Sequence, residues 1–247
     1  MMQVELVIKY ILLFFIYAFI GWCIEVVAKI IDDRKFVNRG FLIGPILPIY
    51  GIGVLLILLV TKQTDNFIIV FIKAIAICSV LEYFTSWIME VFFKTRWWDY
   101  SKRKFNLNGR ICANTMIPFG LLGLFVVYVL NPFFNYVIDH SPYVLNVIIV
   151  GIFIFFILLD FIVTVKVLVK IKRKIRTSAR DNTPRIRSKI SKWLENNSYV
   201  FRRLKKSFPD LDIRGKIDYV ENGIVKTVLI VNDSVVDLTS KLKSKKK

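Results

Sequence analysis

The chain has 247 residues, 55% of them hydrophobic, with a mean hydropathy of +0.56 and a formal net charge of +18. The apolar residues gather in runs of about 20, the length of a membrane-spanning helix, which excludes an ordinary soluble domain. A single histidine excludes a His-based metal site, and the three cysteines have no metal-type spacing.

Five apolar segments predict transmembrane helices at about 6–31, 42–61, 67–93, 115–131 and 143–169. The first segment is too long for a signal peptide and no small-residue cleavage site follows it, so it is predicted to be a retained span. Together the segments predict an all-α integral membrane domain over residues 1–170.

Residues 171–247 are predicted to form a basic cytoplasmic tail. From Lys166 onward the chain has 23 Lys and Arg against 8 Asp and Glu. An amphipathic helix is predicted at about 184–206 and a small β-hairpin, around an Asn-Gly turn, at about 215–232. Anionic membrane lipids are the expected partners of this charge, and nucleic acid is not.

Lys and Arg are unevenly distributed between the connecting segments. The first loop carries Arg34, Lys35 and Arg39, and the third carries six basic residues between Lys94 and Arg110. The second loop carries one lysine and the fourth carries none. Because basic loops stay in the cytoplasm, this pattern predicts the N-terminus outside and the C-terminus and loops one and three inside.

Two parts of the chain resemble each other, which predicts an internal duplication. Residues 19–29 (FIGWCIEVVAK) and 84–94 (FTSWIMEVFFK) share five identities, and a basic loop with Asn and Gly follows each. A proline then comes early in each following helix. The predicted repeat units, about 10–61 and 75–131, run in the same direction, which predicts a parallel repeat.

Two glutamates occupy matching places in this repeat. Glu25 and Glu90 each precede a lysine by four residues, Lys29 and Lys94, so each pair shares a helix face. Either these are local ion pairs at the membrane interface, or the two carboxylates face a shared cavity. The arginines that end the two loops could also pair with the glutamates or hold an anionic headgroup. The sequence leaves these interpretations open.

Glu82 lies eight residues, ~12 Å, deeper in its helix than Glu90, and no lysine lies three or four positions from it. A carboxylate at that depth is expected to face protein or water. Asp160 is a second deep acid, in the last span. The predicted polar membrane site consists of Glu25, Glu82, Ser86, Glu90 and Asp160.

Three segments, RGFLIGPILPIYG, SWIMEVFFKTRWWDYS and FNLNGRICANTMIPFG, resemble the bacterial membrane family of ABC transporter permeases, type IV. The resemblance covers about residues 10–170 and implies a transport component, with no catalytic role for any matching residue. Asn108-Gly109 in the third segment also predicts a turn. The matching loop residues form a candidate cytoplasmic loop site: Arg39, Trp97, Trp98, Asp99, Tyr100, Asn106, Asn108 and Arg110.

Three functional hypotheses follow. The first is a permease-like transport component that works with a separate ATPase, because the chain has no phosphate-binding GxxxxGK[ST] loop of its own. Five helices are few for a permease, so a homodimer is expected. The second is a membrane scaffold, or a lipid- or partner-binding protein, that acts at the cytoplasmic face. The third is a membrane-embedded enzyme for a lipid-linked substrate, although no catalytic residue, cofactor or metal site is predicted.

Overall fold

Six α-helices make up most of the part of the chain that the structure describes. This computed structural model describes residues 2–93 and 98–178 together with Arg203. Two short antiparallel strands, β1 (Asn106–Leu107) and β2 (Ile111–Cys112), pair within the loop before the fourth helix. The helices are α1 (Met2–Asp33), α2 (Pro48–Val60), α3 (Phe67–Phe93), α4 (Ala113–Phe125), α5 (Asn131–Asp139) and α6 (Tyr143–Ser178), with a π-helical turn (Val126–Leu130) between α4 and α5.

Four helical segments of the described chain are long and apolar enough to cross a membrane: Gln3–Asp32, Phe67–Phe92, Ala113–Asp139 and Tyr143–Lys166. Large apolar side chains cover the outer faces of these segments, as lipid contact requires. The predicted all-α, multi-pass membrane fold is confirmed. α2 is apolar but has 13 residues, so at ~1.5 Å per residue it falls short of a ~30 Å hydrocarbon core.

The second helix was predicted to begin near residue 42, and it begins at Pro48. Gly40 has a φ of +124°, which a helix cannot accommodate. The backbone amides of Ile43 and Gly44 donate to a side chain of α6 and not to helical carbonyls. The chain therefore stays irregular until Pro48, whose ring suits the first turn of a helix.

The fourth helix was predicted to end near residue 131, and the helical path continues to Asp139. Pro132 lies in the first turn of α5, and the π-helical turn before it absorbs the hydrogen-bonding change that a proline imposes. The segment predicted to be an external loop is thus mostly helical. Only residues 140–142 connect α5 to α6.

The helices pack in pairs, α1 on α2 and α3 on α4, with α2 against α3 and α6 against α1. The loops 34–47 and 98–112 therefore lie together at one end of the bundle, which we call the loop end. Close helix contact depends on small residues: Gly51 lies against Phe14, and Gly123 lies against Ala74. Lipid tails are as apolar as the side chains, so no hydrophobic effect drives membrane helices together. Their association depends on close van der Waals packing, which small residues permit.

The opposite end of the bundle is tied by exposed ion pairs. Lys9 Nζ lies 2.8 Å from a carboxylate oxygen of Asp139, which joins α1 to α5. Lys73 donates to the carboxylate of Asp65 at 3.0 Å and to the carbonyl of Val60 at 2.7 Å, which fixes the turn between α2 and α3. The hydrogen bond from Lys73 lowers the pKa of Asp65.

The predicted features of the tail lie outside the described residues. This applies to the hairpin at about 215–232 and, apart from Arg203, to the amphipathic helix at about 184–206. The same is true of Trp97 and Lys94.

Two glycines in membrane helices give a matched test of this packing. A Cβ at position 123 would lie 2.3 Å from the Cβ of Ala74, which has no rotamer that relieves the overlap, whereas a Cβ at Gly151 would meet nothing within 4 Å. We expect Gly123→Ala to lower the free energy of unfolding by about 1–3 kcal/mol. Gly151→Ala should leave it unchanged or raise it slightly. Unfolding in mixed detergent micelles measures both, and equal effects would contradict the α3–α4 contact.

Candidate functional site

The loop 98–112 folds into a compact hairpin at the loop end. Asn108 and Gly109 both have a positive φ, at 54° and 67°, and form the turn between β1 and β2, as the Asn-Gly pair predicts. The Asn106 side chain closes the turn, because its oxygen accepts from the Gly109 amide at 3.0 Å and its nitrogen donates to the Arg103 carbonyl at 2.7 Å. Tyr100 joins the two sides through a 2.8 Å bond from its amide to the Gly109 carbonyl.

Arg110 connects this hairpin to α3. Its guanidinium lies 2.7 Å from a carboxylate oxygen of Glu90 and donates to the Ser86 hydroxyl at 3.3 Å. It also lies over the ring of Tyr83, 5.6 Å from the ring centre. The indole of Trp98 donates to the Arg110 carbonyl at 3.0 Å. With 11% of its side chain exposed, Arg110 is a nearly buried cation that needs this carboxylate.

A similar ion pair links the first loop to α1. Arg39 lies 3.1 Å from one carboxylate oxygen of Glu25, and the hydroxyl of Tyr50 in α2 donates to the other oxygen at 2.9 Å. Gly21 makes room for Tyr50, because a Cβ there would lie 2.2 Å from its ring. The sequence left open whether the two loop arginines pair with the glutamates, and the structure has both ion pairs.

Glu82 lies inside the bundle, where α3 faces the hairpin and α2. Only 8% of the residue is exposed. The hydroxyl of Tyr100 donates to its Oε1 at 3.3 Å. Its other oxygen, Oε2, is buried and accepts no hydrogen bond from the described residues. The hydroxyl of Thr115 in α4 lies beside the carboxyl group and itself donates to the Cys112 carbonyl at 2.8 Å.

Four of these side chains form one polar cluster, which consists of Glu25, Tyr50, Glu82 and Tyr100. Glu82 interacts electrostatically with both Glu25 and Tyr50, so the two halves of the bundle meet here. Burial, followed by the charge of Glu82, raises the pKa of Tyr100 well above its ordinary value. Tyr100 is therefore a neutral hydrogen-bond donor at all physiological pH values. Tyr100 connects the cluster to the hairpin.

Asp160 lies apart from the polar cluster. Its two carboxylate oxygens accept from the amides of Ile43 and Gly44 at 2.9 and 2.7 Å, and Thr164 donates to it at 3.0 Å. These contacts satisfy backbone groups that the irregular loop 34–47 would otherwise leave unpaired in the membrane domain. The second deep acid is thus occupied in holding this loop against α6.

The loop 34–47 is held from two further directions. The indole of Trp22 donates to the side-chain oxygen of Asn38 at 2.7 Å, and the Asn38 amide donates to the Ile43 carbonyl at 2.7 Å. The buried guanidinium of Arg203, from the tail, donates to the carbonyls of three successive loop residues, Gly40, Phe41 and Leu42. The tail therefore contributes a cation to the loop end.

The structure brings together most of the residues singled out from the sequence. Ser86 and Glu90 contact Arg110, and Asn108 donates to the Tyr83 hydroxyl at 3.0 Å. Asp99 is exposed and accepts from the Ser101 amide at 2.9 Å. Several contributors were not predicted to belong to the site, since neither hydropathy nor charge placement distinguishes their roles: Trp22, Asn38, Tyr50, Tyr83, Thr115, Thr164 and Arg203.

Comparison with known proteins gives one match. A family model described as "Putative ABC-transporter type IV" matches residues 12–165, which is more than half of the chain. The match begins within α1 and ends within α6, and it includes both loops of the loop end. Searches of curated proteins and of solved structures found no match.

The contacts of Asp160 predict a strong dependence of stability on this carboxylate. Asp160→Ala removes the acceptor of two amides, and a buried unpaired amide costs about 1–3 kcal/mol. We expect unfolding in mixed detergent micelles to show a loss of about 2–5 kcal/mol. Asp139→Asn, which breaks the exposed pair with Lys9, is the matched control and should cost less than about 1 kcal/mol. A similar loss in both variants would contradict the assignment.

The Glu90–Arg110 pair is tested by a double-mutant cycle with Glu90→Gln and Arg110→Gln. Because Arg110 is nearly buried, we expect a coupling energy of about 1–3 kcal/mol in the free energy of unfolding. The same cycle with Lys9→Gln and Asp139→Asn at the exposed pair should give less than about 1 kcal/mol. Equal coupling energies would mean that the hairpin is not held by this ion pair.

Proposed function

The chain belongs to the type IV ABC-transporter-related family, and from this membership we propose that it is a permease-like transport component that works with a separate ATPase subunit. Its membrane helices and family membership make it a transport-related, multi-pass membrane protein. The ATPase partner is our proposal, and the hairpin 98–112 is the proposed docking element. The observation that carries it is an exposed aromatic side chain of this hairpin.

This side chain is Phe105, which lies just before β1, at the end of the hairpin opposite the Asn108-Gly109 turn. Its side chain is 85% exposed, and its φ is 53°, a conformation that is uncommon for a residue other than glycine. The backbone is held there by a bond from the Ala113 amide to the Phe105 carbonyl at 3.2 Å. Exposed basic residues, Arg103 and Lys104, precede it. An aromatic side chain that a rigid turn presents beside cations suits insertion into an acidic-rimmed pocket of a partner.

The hairpin is also connected mechanically to the membrane helices. Tyr100 contacts Glu82, and Arg110 contacts Glu90 and Ser86. A displacement of Phe105 by a partner would therefore act on α3 at two depths. Contacts of this kind would be needed to couple ATP hydrolysis in one subunit to helix movement in another. The connection supports a docking role for the hairpin.

The proposed orientation places the loop end in the cytoplasm, with the N-terminus outside and the C-terminus inside. It is supported by the Lys and Arg bias of the loops and tail. A cytoplasmic loop end would also put the hairpin on the side of the membrane where ATP is available. The basic tail would then face anionic lipid headgroups.

The paired geometry of the two loops supports the proposed parallel repeat. Each long helix carries a glutamate that pairs with an arginine from the loop after it, Glu25 with Arg39 and Glu90 with Arg110. We also propose that two copies associate, because few helices are available to enclose a substrate path and the outer faces of α3 and α6 are apolar.

The docking proposal is tested on the full-length protein purified from its native membrane. We expect an ATPase subunit, identified by its phosphate-binding sequence, to copurify with the wild type together with ATP hydrolysis. Phe105→Ala should reduce both about tenfold or more, because a buried aromatic hot spot contributes 2 kcal/mol or more. Quantitative mass spectrometry and ATPase assays measure the effect.

Phe36→Ala is the matched control, since Phe36 is the exposed phenylalanine at the corresponding place in the first loop. It should leave copurification unchanged if docking is specific to the hairpin. Absence of any ATPase from the wild-type preparation would reject the transporter proposal. A partner without ATPase activity that is lost in Phe105→Ala would support the scaffold hypothesis, and a lipid-processing activity lost in Glu90→Gln would support the enzyme hypothesis.

A further inference from the structure

The carboxyl group of Glu82 is buried, but the described residues give it few hydrogen bonds that would stabilise a negative charge. It is the most deeply placed acid of the polar cluster, and the hydrogen bond that its Oε1 accepts from Tyr100 is long, at 3.3 Å. Oε2 is buried and accepts none from the described residues. A buried carboxylate without paired charge and hydrogen bonds is strongly disfavoured relative to its neutral form.

Among the described residues, the groups that interact with Glu82 do not supply the missing positive charge. Glu25 faces it from α1 with a like charge, and the arginine nearest to Glu25, Arg39, is already paired there at 3.1 Å. The other facing groups are neutral hydroxyls and thiols, from α2, the hairpin, α4 and α3 itself: Tyr50, Tyr100, Thr115 and Cys78. An added negative charge at Glu82 is thus opposed by burial and by Glu25.

We propose that Glu82 is a proton-binding site of the membrane domain. In its acid form the group is neutral, so the repulsion from Glu25 and the desolvation of a charge both vanish. A metal ion suits the site less well, because the described residues hold no group of three His, Cys, Asp or Glu side chains that could bind one.

Proton binding is linked to the position of the hairpin through Tyr100. The hydrogen bond from Tyr100 favours the carboxylate form of Glu82, so the bound position of the hairpin opposes protonation. By the same linkage, protonation of Glu82 weakens the contact between Glu82 and the hairpin. This links the protonation state of a membrane carboxyl to a loop at the membrane surface. The inference concerns this chain by itself and does not depend on the transport proposal.

Infrared spectroscopy of the full-length protein in lipid nanodiscs tests the proposal. In a titration from mildly acidic to mildly alkaline pH, the wild type should show the carbonyl band of a protonated carboxylic acid at neutral pH. Glu82→Gln should lose this band. Glu5→Gln, which changes an exposed carboxyl group of α1, is the matched control and should keep it.

Tyr100→Phe provides a second test that does not require the Glu82 variant to fold. Removing the donated hydrogen bond should move the midpoint of the carboxylic acid band to higher pH, by up to about one pH unit. Absence of the band from the wild type at neutral pH would overturn the proposal, as would an unchanged midpoint in Tyr100→Phe. Loss of the band on adding sodium ions at constant pH would also overturn it, because the site would then bind a metal ion.

Discussion

Pairing of charges and peptide groups inside a membrane domain is the constraint on which this structure depends. Hydrocarbon offers no water to a free amide or an isolated charge, so each must find a partner in the protein. Asp160 satisfies two amides of an irregular loop, and Glu90 and Glu25 neutralise the arginines that end the two loops. These contacts allow non-helical backbone to pack against the helices. The hairpin 98–112 therefore contacts the helices directly.

Hydropathy predicts the long helices well because contact with lipid requires apolar residues along their length. The bounds of α3 and the start of α6 agree with the sequence, whereas the start of α2 and the end of the α4–α5 path do not. The first error arises where a tertiary contact overrides local preference, and the second where the helix changes its hydrogen-bonding pattern before a proline. A side chain 116 positions away withdraws the Gly44 amide from a helix, and a π-helical turn lets the chain pass Pro132 without a break. No local pattern contains either fact.

The acidic residues of the candidate site can be identified from the sequence, but their partners can be identified only from the structure. A carboxylate in an apolar run is visible in sequence, so Glu25, Glu82, Glu90 and Asp160 could be singled out. Their partners could not be assigned, because i, i+4 lysines are local alternatives to the more distant arginines. The distinction decides function: Asp160 is fully engaged with backbone, whereas Glu82 has an oxygen without a hydrogen bond from any described residue. Glu82 and Asp160 therefore look alike in the sequence but differ in their hydrogen bonding.

The proposed repeat sharpens this contrast. Features present in both halves, the Glu–Arg pairs, build the two loops and serve the fold. The position that corresponds to Glu82 in the first half holds Tyr17, which is almost completely buried. A tyrosine side chain there is uncharged, whereas a carboxylate at the equivalent depth would bring a charge into the membrane domain. The residues shared by the two halves have a structural role, whereas Glu82 occurs in one half and no structural role accounts for it. Glu82 contacts Tyr100 of the hairpin, and this contact joins a carboxyl group inside the membrane domain to a loop at the membrane surface.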